Sequence, residues 1–356
     1  MRPCPTVRLR VASAGIAIAA LLGAVPAAAP ITALAQVAPG FPVGIRQVEY
    51  VDAQQGGRYL ALWLFYPAAI DERSATPFVM PFFTNLQLYK DAEPAPEDAR
   101  RPLVMFSHGR GSNGLYYAWF AEFLAARGYI VAAFDHYRAN SYDSTIAYLA
   151  NKLWQRPLDI GLAISFLLED PIWGSRIDPA RIGVAGHSQG GCTALWTGGA
   201  EIDPDRYLTF QRRWRDNLMV PEHLRSELPL DAGPALEVHD RRVKAVFAMA
   251  PGVIQAFGMD EAGLRQLGVP TYIIMGAADT QTPPEDNAEF AARYVPNAEL
   301  DVLPAGSTTR SSSTSATRSE KTSFRRPAST RPGSTAPRST TRSATRRSGS
   351  SMTPSR

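Results

Sequence analysis

The sequence predicts an α/β fold in which a mostly parallel sheet is covered by helices on both faces. Between residues 40 and 304, short apolar segments rich in β-branched residues alternate with amphipathic helical segments, which is the pattern of such a sheet. This part of the chain contains about 270 residues, which fits one α/β unit and is long enough to bury a hydrophobic core. We therefore expect a single folded domain over residues 36–306.

The order of the elements follows from the same pattern. Segments 43–51 and 59–66 predict two opening strands that form an antiparallel edge, and residues 67–101 predict an irregular excursion. The later strands are predicted at 103–107, 129–134, 181–186, 243–249, 271–275 and 299–303, and the helices at 116–127, 151–169, 189–198 and 284–294. Residues 201–241 are charged and contain prolines, so we expect a small cap insertion there.

The N-terminal residues 1–35 predict a signal peptide. Three arginines among the first ten residues precede an apolar, alanine-rich segment at 11–25, and small residues before Ala35 offer a cleavage site. A transmembrane anchor is the alternative, but Pro26 and Pro30 interrupt the apolar run before it reaches the length of a membrane span. We expect a secreted or periplasmic protein that is cut after Ala35 and has no stable membrane anchor.

Residues 307–356 predict a disordered tail. The segment holds 15 Ser, 11 Thr and ten Arg and has no apolar periodicity, so it cannot bury enough surface to offset the entropy of ordering. Its basic residues also account for the net charge of +4, because residues 36–306 carry 23 basic against 32 acidic side chains. The net charge therefore gives no reason to expect nucleic-acid binding by the folded domain.

Ser188 is predicted to be a nucleophile. Residues 186–190 read Gly-His-Ser-Gln-Gly, a G-x-S-x-G pattern that follows the β-branched segment 182–185 and precedes a helical segment. A tight turn from strand to helix pushes the serine outward, and the flanking glycines avoid the clash that a Cβ would cause. An ordinary glycine-rich turn between a strand and a helix is the alternative interpretation.

Three further residues complete the predicted site. The backbone N–H groups of Gln189, directly after the nucleophile, and of Arg110, in the glycine-rich loop 107–111, are the candidate oxyanion donors. Asp279 follows a predicted strand and is the candidate acid that orients a histidine. The alternatives are a plain glycine-rich turn and a turn-forming aspartate. We expect His108 to be structural, with its hydrogen bonds inside the loop.

Several segments together resemble one known family. They are the strand, turn and helix around Ser188, the His108-Gly109 turn, Ala133-Phe134-Asp135-His136, and Arg156-Pro157-Leu158-Asp159-Ile160. They resemble the predicted dienelactone hydrolases of bacteria, which are related to the plasma-type platelet-activating factor acetylhydrolases. The resemblance covers roughly residues 43–304. It implies an α/β-hydrolase fold and cleavage of small or lipid-like carboxylic esters through an acyl-enzyme.

The chain departs from that family at two positions. True dienelactone hydrolases have a cysteine nucleophile, where this chain has Ser188. In the acetylhydrolases the acid follows the preceding strand, where this chain has Ala250-Pro251-Gly252. The partner that we expect is a small-molecule ester. We expect no metal or organic cofactor, because no His, Cys and carboxylate residues have metal-ligand spacing and no phosphate-binding loop is present.

The sequence also predicts that the general base is missing. In this fold the base follows the last strand, which places it near Thr309. The five histidines of the chain are His108, His136, His187, His223 and His239. None of them lies near position 309, and a serine without a base is weakly nucleophilic.

A frameshift is our explanation for the missing base. Codons for Val-Asp-His in a GC-rich gene, read one base late, give Ser-Thr-Thr, which stands at residues 307–309. The sequence leaves three interpretations open: an impaired serine carboxylesterase, a non-catalytic degenerate hydrolase, and a protein that binds polyanions through its basic tail. It gives no oligomeric state.

Overall fold

The computed structural model describes residues 40–53, 57–71, 75–81, 83–96, 99–147, 149–215, 222 and 238–305. The predicted signal peptide, the predicted tail and the position near Thr309 lie outside these residues. Most of the second half of the predicted cap, 201–241, also lies outside them.

The described residues form a ten-stranded sheet. Its strands are β1 Val43–Asp52, β2 Arg58–Ala69, β3 Leu88–Lys90, β4 Glu93–Pro94, β5 Arg101–Ser107, β6 Ile130–Asp135, β7 Ile177–His187, β8 Val243–Met249, β9 Thr271–Gly276 and β10 Ala298–Leu303. They lie in the order β10-β9-β8-β7-β5-β6-β2-β1-β3, and β4 pairs with β2. All neighbours from β10 to β6 are parallel. The predicted mostly parallel sheet is confirmed.

The opening antiparallel pair is also confirmed, but it is not the edge of the sheet. β2 pairs with the whole of β1, and it continues the sheet through β6. The edge is β3, which runs parallel to β1. Both β3 and β4 lie within residues 67–101, which we expected to be irregular, so that prediction is wrong there. Strands of three and two residues are too short to show an alternating pattern in the sequence.

Helices pack on both faces of the sheet. They are α1 Ala118–Ala125, α2 Gln155–Glu169, α3 Gln189–Gly198, α4 Pro204–Arg215, α5 Glu261–Leu264 and α6 Ala288–Tyr294. Met105 and Phe106 are neighbours in β5 and point to opposite faces, and they belong to two different buried clusters. Among the described helices, only α1 contributes to the cluster of Phe106. The other five contribute to the cluster of Met105.

The local sequence explains the central strands and the helix starts. All six residues of β6 are buried, because a parallel strand covered on both faces is apolar throughout rather than alternating. Three predicted helices begin with a short 3-10 turn, at Gly114–Tyr117, Ala150–Lys152 and Pro284–Asp286. Among the residues that the structure describes, no helix is both long and apolar enough to cross a bilayer.

Candidate active site

Ser188 lies in the turn that joins β7 to α3. Its φ of 54° and ψ of −119° are unfavourable for a residue with a side chain. Three backbone hydrogen bonds hold this conformation. The Ser188 N–H donates to the Met249 carbonyl at 2.9 Å, and the Ser188 carbonyl accepts the N–H groups of Cys192 and Gly252 at 3.1 Å each. A serine strained in this way after a central strand is typical of a nucleophile elbow.

Close backbone contacts require the two glycines around Ser188. A Cβ on Gly186 would lie 2.1 Å from the carbonyl oxygen of Gly190, and a Cβ on Gly190 would lie 1.9 Å from the carbonyl oxygen of Ser107. Both distances are far below any real Cβ contact. The start of α3 therefore packs directly on the end of β5, which brings Ser188 beside the loop 107–111.

Both predicted oxyanion donors lie at this edge of the sheet. Gln189 is the first residue of α3, where N–H groups have no acceptor within the helix and the helix dipole favours an anion. Arg110 lies in the turn that follows β5. The neighbouring N–H of Gly109 is occupied, because it donates to the Tyr117 hydroxyl at 3.2 Å. Arg110 therefore stays the candidate for the second donor.

Asp279 lies in the loop after β9, and its charge acts on His187, the residue before Ser188. Its Oδ1 accepts the N–H groups of Gln281 and Thr282, and its Oδ2 accepts the Thr282 hydroxyl at 2.9 Å. A Cβ on Gly252 would lie 2.9 Å from Thr282 Cγ2 and 3.5 Å from Ser188 Oγ. Thr282, which belongs to the Asp279 loop, and the Ser188 hydroxyl therefore both border Gly252.

The start of the loop after β8, residues 250–252, contacts Ser188 and contains no carboxylate. Ala250 and Val253 have φ values of 41° and 56°, which are unfavourable for residues with a Cβ. The Ala250 N–H donates to the Ile274 carbonyl at 2.7 Å. Since residues 250–252 contain no carboxylate, Asp279 is the candidate acid at this edge.

His187 lies in the same site, where Tyr117 holds its ring. The His187 Nδ1 lies 2.8 Å from the Tyr117 hydroxyl. Because that oxygen accepts the Gly109 N–H, its O–H can donate to Nδ1. Burial lowers the pKa of His187, while the charge of Asp279 opposes the shift. The neutral imidazole thus links the turn at Ser188 to the loop 107–111 through Tyr117. We call residues 107–111 the oxyanion loop, because they contain the candidate donor Arg110.

A buried cluster beneath the oxyanion loop was missed by the sequence analysis. Ser107 Oγ lies 2.8 Å from His136 Nε2, and His136 Nδ1 lies 2.9 Å from Asp159 Oδ2. The other carboxylate oxygen accepts Arg58 Nε at 2.5 Å. The connectivity is that of a Ser-His-Asp triad, but Ser107 and His136 are 0 % exposed and Asp159 is 1 % exposed. No substrate reaches Ser107 in this structure, so the cluster is structural.

Burial sets the protonation states in this cluster. It lowers the pKa values of His108 and His136 well below the usual range, and the charge of Arg156 adds to both shifts. It raises the pKa of Asp159 to about 6, against the opposing effect of Arg58. At neutral pH the histidines are therefore neutral and the carboxylate is ionised. His108 also bonds within its own loop, with Nδ1 2.7 Å from the Gly109 carbonyl oxygen.

No described histidine occupies the position after the last strand. His108 is buried within the loop 107–111 and His136 is buried beside it, and His187 is hydrogen-bonded to Tyr117. The ring of His239 packs on Gly199. The fifth histidine, His223, lies outside the described residues. Among the residues that the structure describes, no group of three His, Cys, Asp or Glu side chains could hold a metal ion.

The parallel sheet and the strained serine after its central strand define an α/β-hydrolase. Residues 79–156 match the family model described as platelet-activating factor acetylhydrolase, isoform II. The match includes the oxyanion loop, His136 and Arg156, but it ends before Ser188 and Asp279. It confirms, over these residues, the resemblance to the acetylhydrolases.

Three solved structures are similar to this chain. A ferulic acid esterase from Streptomyces cinnamoneus is 24% identical over 75% of this chain and 74% of its own, with a TM-score of 0.51. Est1E from Butyrivibrio proteoclasticus is 15% identical over 73% and 88% of the two chains, with a TM-score of 0.42. A dienelactone hydrolase from Anabaena variabilis is 17% identical over 73% and 87%, with a TM-score of 0.42. No curated protein matches the chain. The fold and the family match support a hydrolase of the esterase type.

Proposed function

We propose that this chain is by descent a serine carboxylesterase that acts on small or lipid-like esters. The observation that carries the proposal is the strained turn at Ser188, packed against the oxyanion loop and adjacent to Gly252. The Ser188 hydroxyl attacks the ester carbonyl carbon, and the N–H groups of Gln189 and Arg110 stabilise the resulting oxyanion. Collapse of this intermediate expels the alcohol and leaves an acyl-enzyme on Ser188, which water then hydrolyses.

Proton transfer is the step that lacks its residue, because the sequence has no histidine after the last strand. A base must take the proton of the attacking hydroxyl and return it to the departing alcohol, while Asp279 orients that base. We propose that the chain is impaired for this reason. An α/β-hydrolase without its base retains what the oxyanion hole and substrate binding supply, about a 10³-fold to 10⁴-fold acceleration over water.

Chemical rescue tests the nucleophile without a base in the chain. Imidazole in solution replaces the missing histidine, and the hydrolysis of p-nitrophenyl acetate is followed with the full chain, Ser188→Ala and Ser107→Ala. We expect imidazole to stimulate hydrolysis by the unaltered chain and by Ser107→Ala above the buffer rate, and to have no such effect with Ser188→Ala. If the unaltered chain is no faster than Ser188→Ala, and a fluorophosphonate leaves Ser188 unmodified, the non-catalytic interpretation is correct.

The origin of residues 307–356 is tested at the gene. We propose that these residues are an out-of-frame translation, because the domain pattern stops where the Ser, Thr and Arg-rich sequence starts. A second frame across codons 300–356 should encode a histidine near position 309, followed by an amphipathic helix. Stop codons in both other frames would refute the frameshift and leave the missing base a property of the protein.

Two further proposals concern the ends of the chain. We propose export with cleavage after Ala35, and the N-terminal sequence of protein recovered from the periplasm or medium should start at Gln36.

The excess of basic residues in 307–356 favours polyanion binding by the tail as a second candidate function. Binding to heparin that weakens with salt and is lost on deletion of 307–356 would support it, and unchanged binding after the deletion would exclude it.

A further inference from the structure

Arg156 is a buried cation with few partners. It lies in the first turn of α2 and is 2 % exposed. Its Nη2 donates to the carbonyl oxygen of His108, whereas its Nε and Nη1 have no hydrogen-bond partner. Buried N–H groups are nearly always paired, and a buried charge is costly without a counter-ion. Because burying the Arg156 guanidinium is costly, its position beside the oxyanion loop indicates that the charge has a function there.

The carboxylate nearest in sequence, Asp159, makes no hydrogen bond with Arg156, although its charge raises the pKa of Arg156 against the effect of burial. Asp159 Oδ1 accepts a hydrogen bond from Arg58 Nε, and its Oδ2 accepts from the ring of His136 and from the N–H of Tyr137. Since the two histidines of the cluster are neutral, Arg58, Asp159 and Arg156 together carry one net positive charge. Burial lowers the pKa of Arg156 to about 9, so the guanidinium is still charged at neutral pH.

The position of this charge links it to the candidate oxyanion hole. The His108 carbonyl that Arg156 binds belongs to the loop that leads to Arg110. The same carbonyl oxygen would lie 2.8 Å from a Cβ on Gly190, so the start of α3 and the guanidinium contact the same peptide. The charge of Arg156 also reaches Cys192, one helical turn after Ser188, where it opposes the rise in the pKa of the thiol.

We propose that Arg156 is a positioning residue that supplies a buried positive charge to the oxyanion hole. Its guanidinium fixes the His108 peptide and stabilises the negative charge that develops on the ester oxygen near the N–H groups of Arg110 and Gln189. A permanent charge in a site of low dielectric constant acts without reorganisation, which is the most effective form of such stabilisation. This inference rests on the proposed function of Ser188. The effect of the Arg156 charge at position 188 is nevertheless measurable whether or not the chain hydrolyses esters.

A thiol at position 188 measures the charge directly. In the full chain with Cys4→Ser and Ser188→Cys, the rate of alkylation by iodoacetamide is followed against pH, which gives the pKa of the introduced thiol. The remaining cysteine, Cys192, is 0 % exposed and does not compete. Three variants are compared on this background: Arg156→Met removes the charge, Arg156→Lys keeps it, and Asp159→Asn raises the net charge of the cluster by one.

The expected shifts have opposite signs. Arg156→Met should raise the thiol pKa by about one unit, Asp159→Asn should lower it, and Arg156→Lys should leave it near the starting value. A loop that merely loosens would move the pKa in the same direction in the Met and Asn variants. That result, or no shift in either, would overturn the proposal. If circular dichroism shows that Arg156→Met does not fold, the thiol pKa values of Asp159→Asn and Arg156→Lys decide whether the proposal holds.

Failure of the proposed function gives a different result. If imidazole rescue at Ser188 fails while the thiol shifts have the expected signs, the charge assignment holds and the esterase assignment is wrong. If rescue succeeds and the thiol pKa is the same after substitution of Arg156 or Asp159, the esterase assignment holds and the role of Arg156 is refuted.

Discussion

Replacing Asp135 by asparagine makes the stability of the domain less dependent on pH. Asp135 ends β6 and is 7 % exposed, and its Oδ1 accepts the Gly114 N–H at 2.8 Å. Burial raises its pKa from the ordinary 3.8 to about 6, although the hydrogen bonds from Gly114 and Trp63 oppose the shift. The folded chain therefore binds the Asp135 proton more tightly than the unfolded chain does.

The sign and the magnitude follow from this difference. Below pH 3.8 both states hold the proton, so Asp135 contributes no difference. As the pH rises from 3.8 to about 6, the unfolded state releases the proton first, and the free energy of unfolding falls. A shift of roughly two pKa units corresponds to about 3 kcal/mol, of which about 2.5 kcal/mol falls between pH 4 and pH 7. The asparagine amide does not titrate, so the free energy of unfolding of the variant does not fall with rising pH on account of residue 135.

Urea unfolding at pH 4, 5, 6, 7 and 8 measures the effect. The free energy of unfolding of Asp135→Asn minus that of the unaltered chain should increase by about 2.5 kcal/mol from pH 4 to pH 7. If the amide bonds less well to Trp63, the resulting loss of stability is the same at every pH and cancels in this comparison. Asp159 also titrates near pH 6, but it does so in both proteins and therefore cancels too. Asp178→Asn is the matched control: hydrogen bonds lower the pKa of Asp178 below its usual 3.8, so the stability linked to it changes mainly below pH 3.8, and its difference should stay nearly flat from pH 4 to pH 8. A flat difference for Asp135→Asn would refute the burial argument.

Two other substitutions and one labelling experiment have defined outcomes. Gly190→Ala should destabilise the domain by about 3 kcal/mol or more in urea unfolding, because its Cβ would lie 1.9 Å from the Ser107 carbonyl oxygen. Gly276→Ala is its control, since a Cβ there meets nothing within 4 Å, and equal losses would contradict the contact. Tyr117→Phe removes the acceptor of the Gly109 N–H and the partner of His187, so it should cost about 1–3 kcal/mol, whereas Tyr142→Phe, at a side chain that is 70% exposed, should have little effect. In the chain with Cys4→Ser, Cys192 is the one thiol; it is fully buried and burial raises its pKa, so it should react with Ellman's reagent only in denaturant. Fast labelling of the native chain would show that α3 opens locally.

The sequence predicted the parts of the fold that repeat a local pattern. Helix 189–198 and strand 243–249 agree with the structure residue for residue, because glycine turns and apolar runs mark their ends. The short β3 and β4 were missed, since their two or three residues pair through the backbone and need no apolar periodicity. The 3-10 turns before α1 and α6 were read as helix because 3-10 and α-helical turns share similar residue preferences over four residues.

The candidate site was predictable only where it is local in the chain. Ser188 and Gln189 belong to one short motif, and Arg110 and Asp279 each follow a strand that the apolar pattern marks. The cluster of Ser107, His136 and Asp159 joins residues 29 and 23 positions apart, and no motif in the sequence relates them. The segments 133–136 and 156–160 contributed to the family resemblance, but their pairing needed the three-dimensional structure.

The sealed Ser107-His136-Asp159 arrangement has a consequence for how enzymes are recognised by geometric templates. A search for a serine, an imidazole and a carboxylate at hydrogen-bond distances would select this trio, at 2.8 and 2.9 Å, and would pass over Ser188. It would then report a complete and competent catalytic centre where solvent has no access. Side-chain exposure and backbone strain separate the two serines, so a template that includes both would reject Ser107 and retain Ser188.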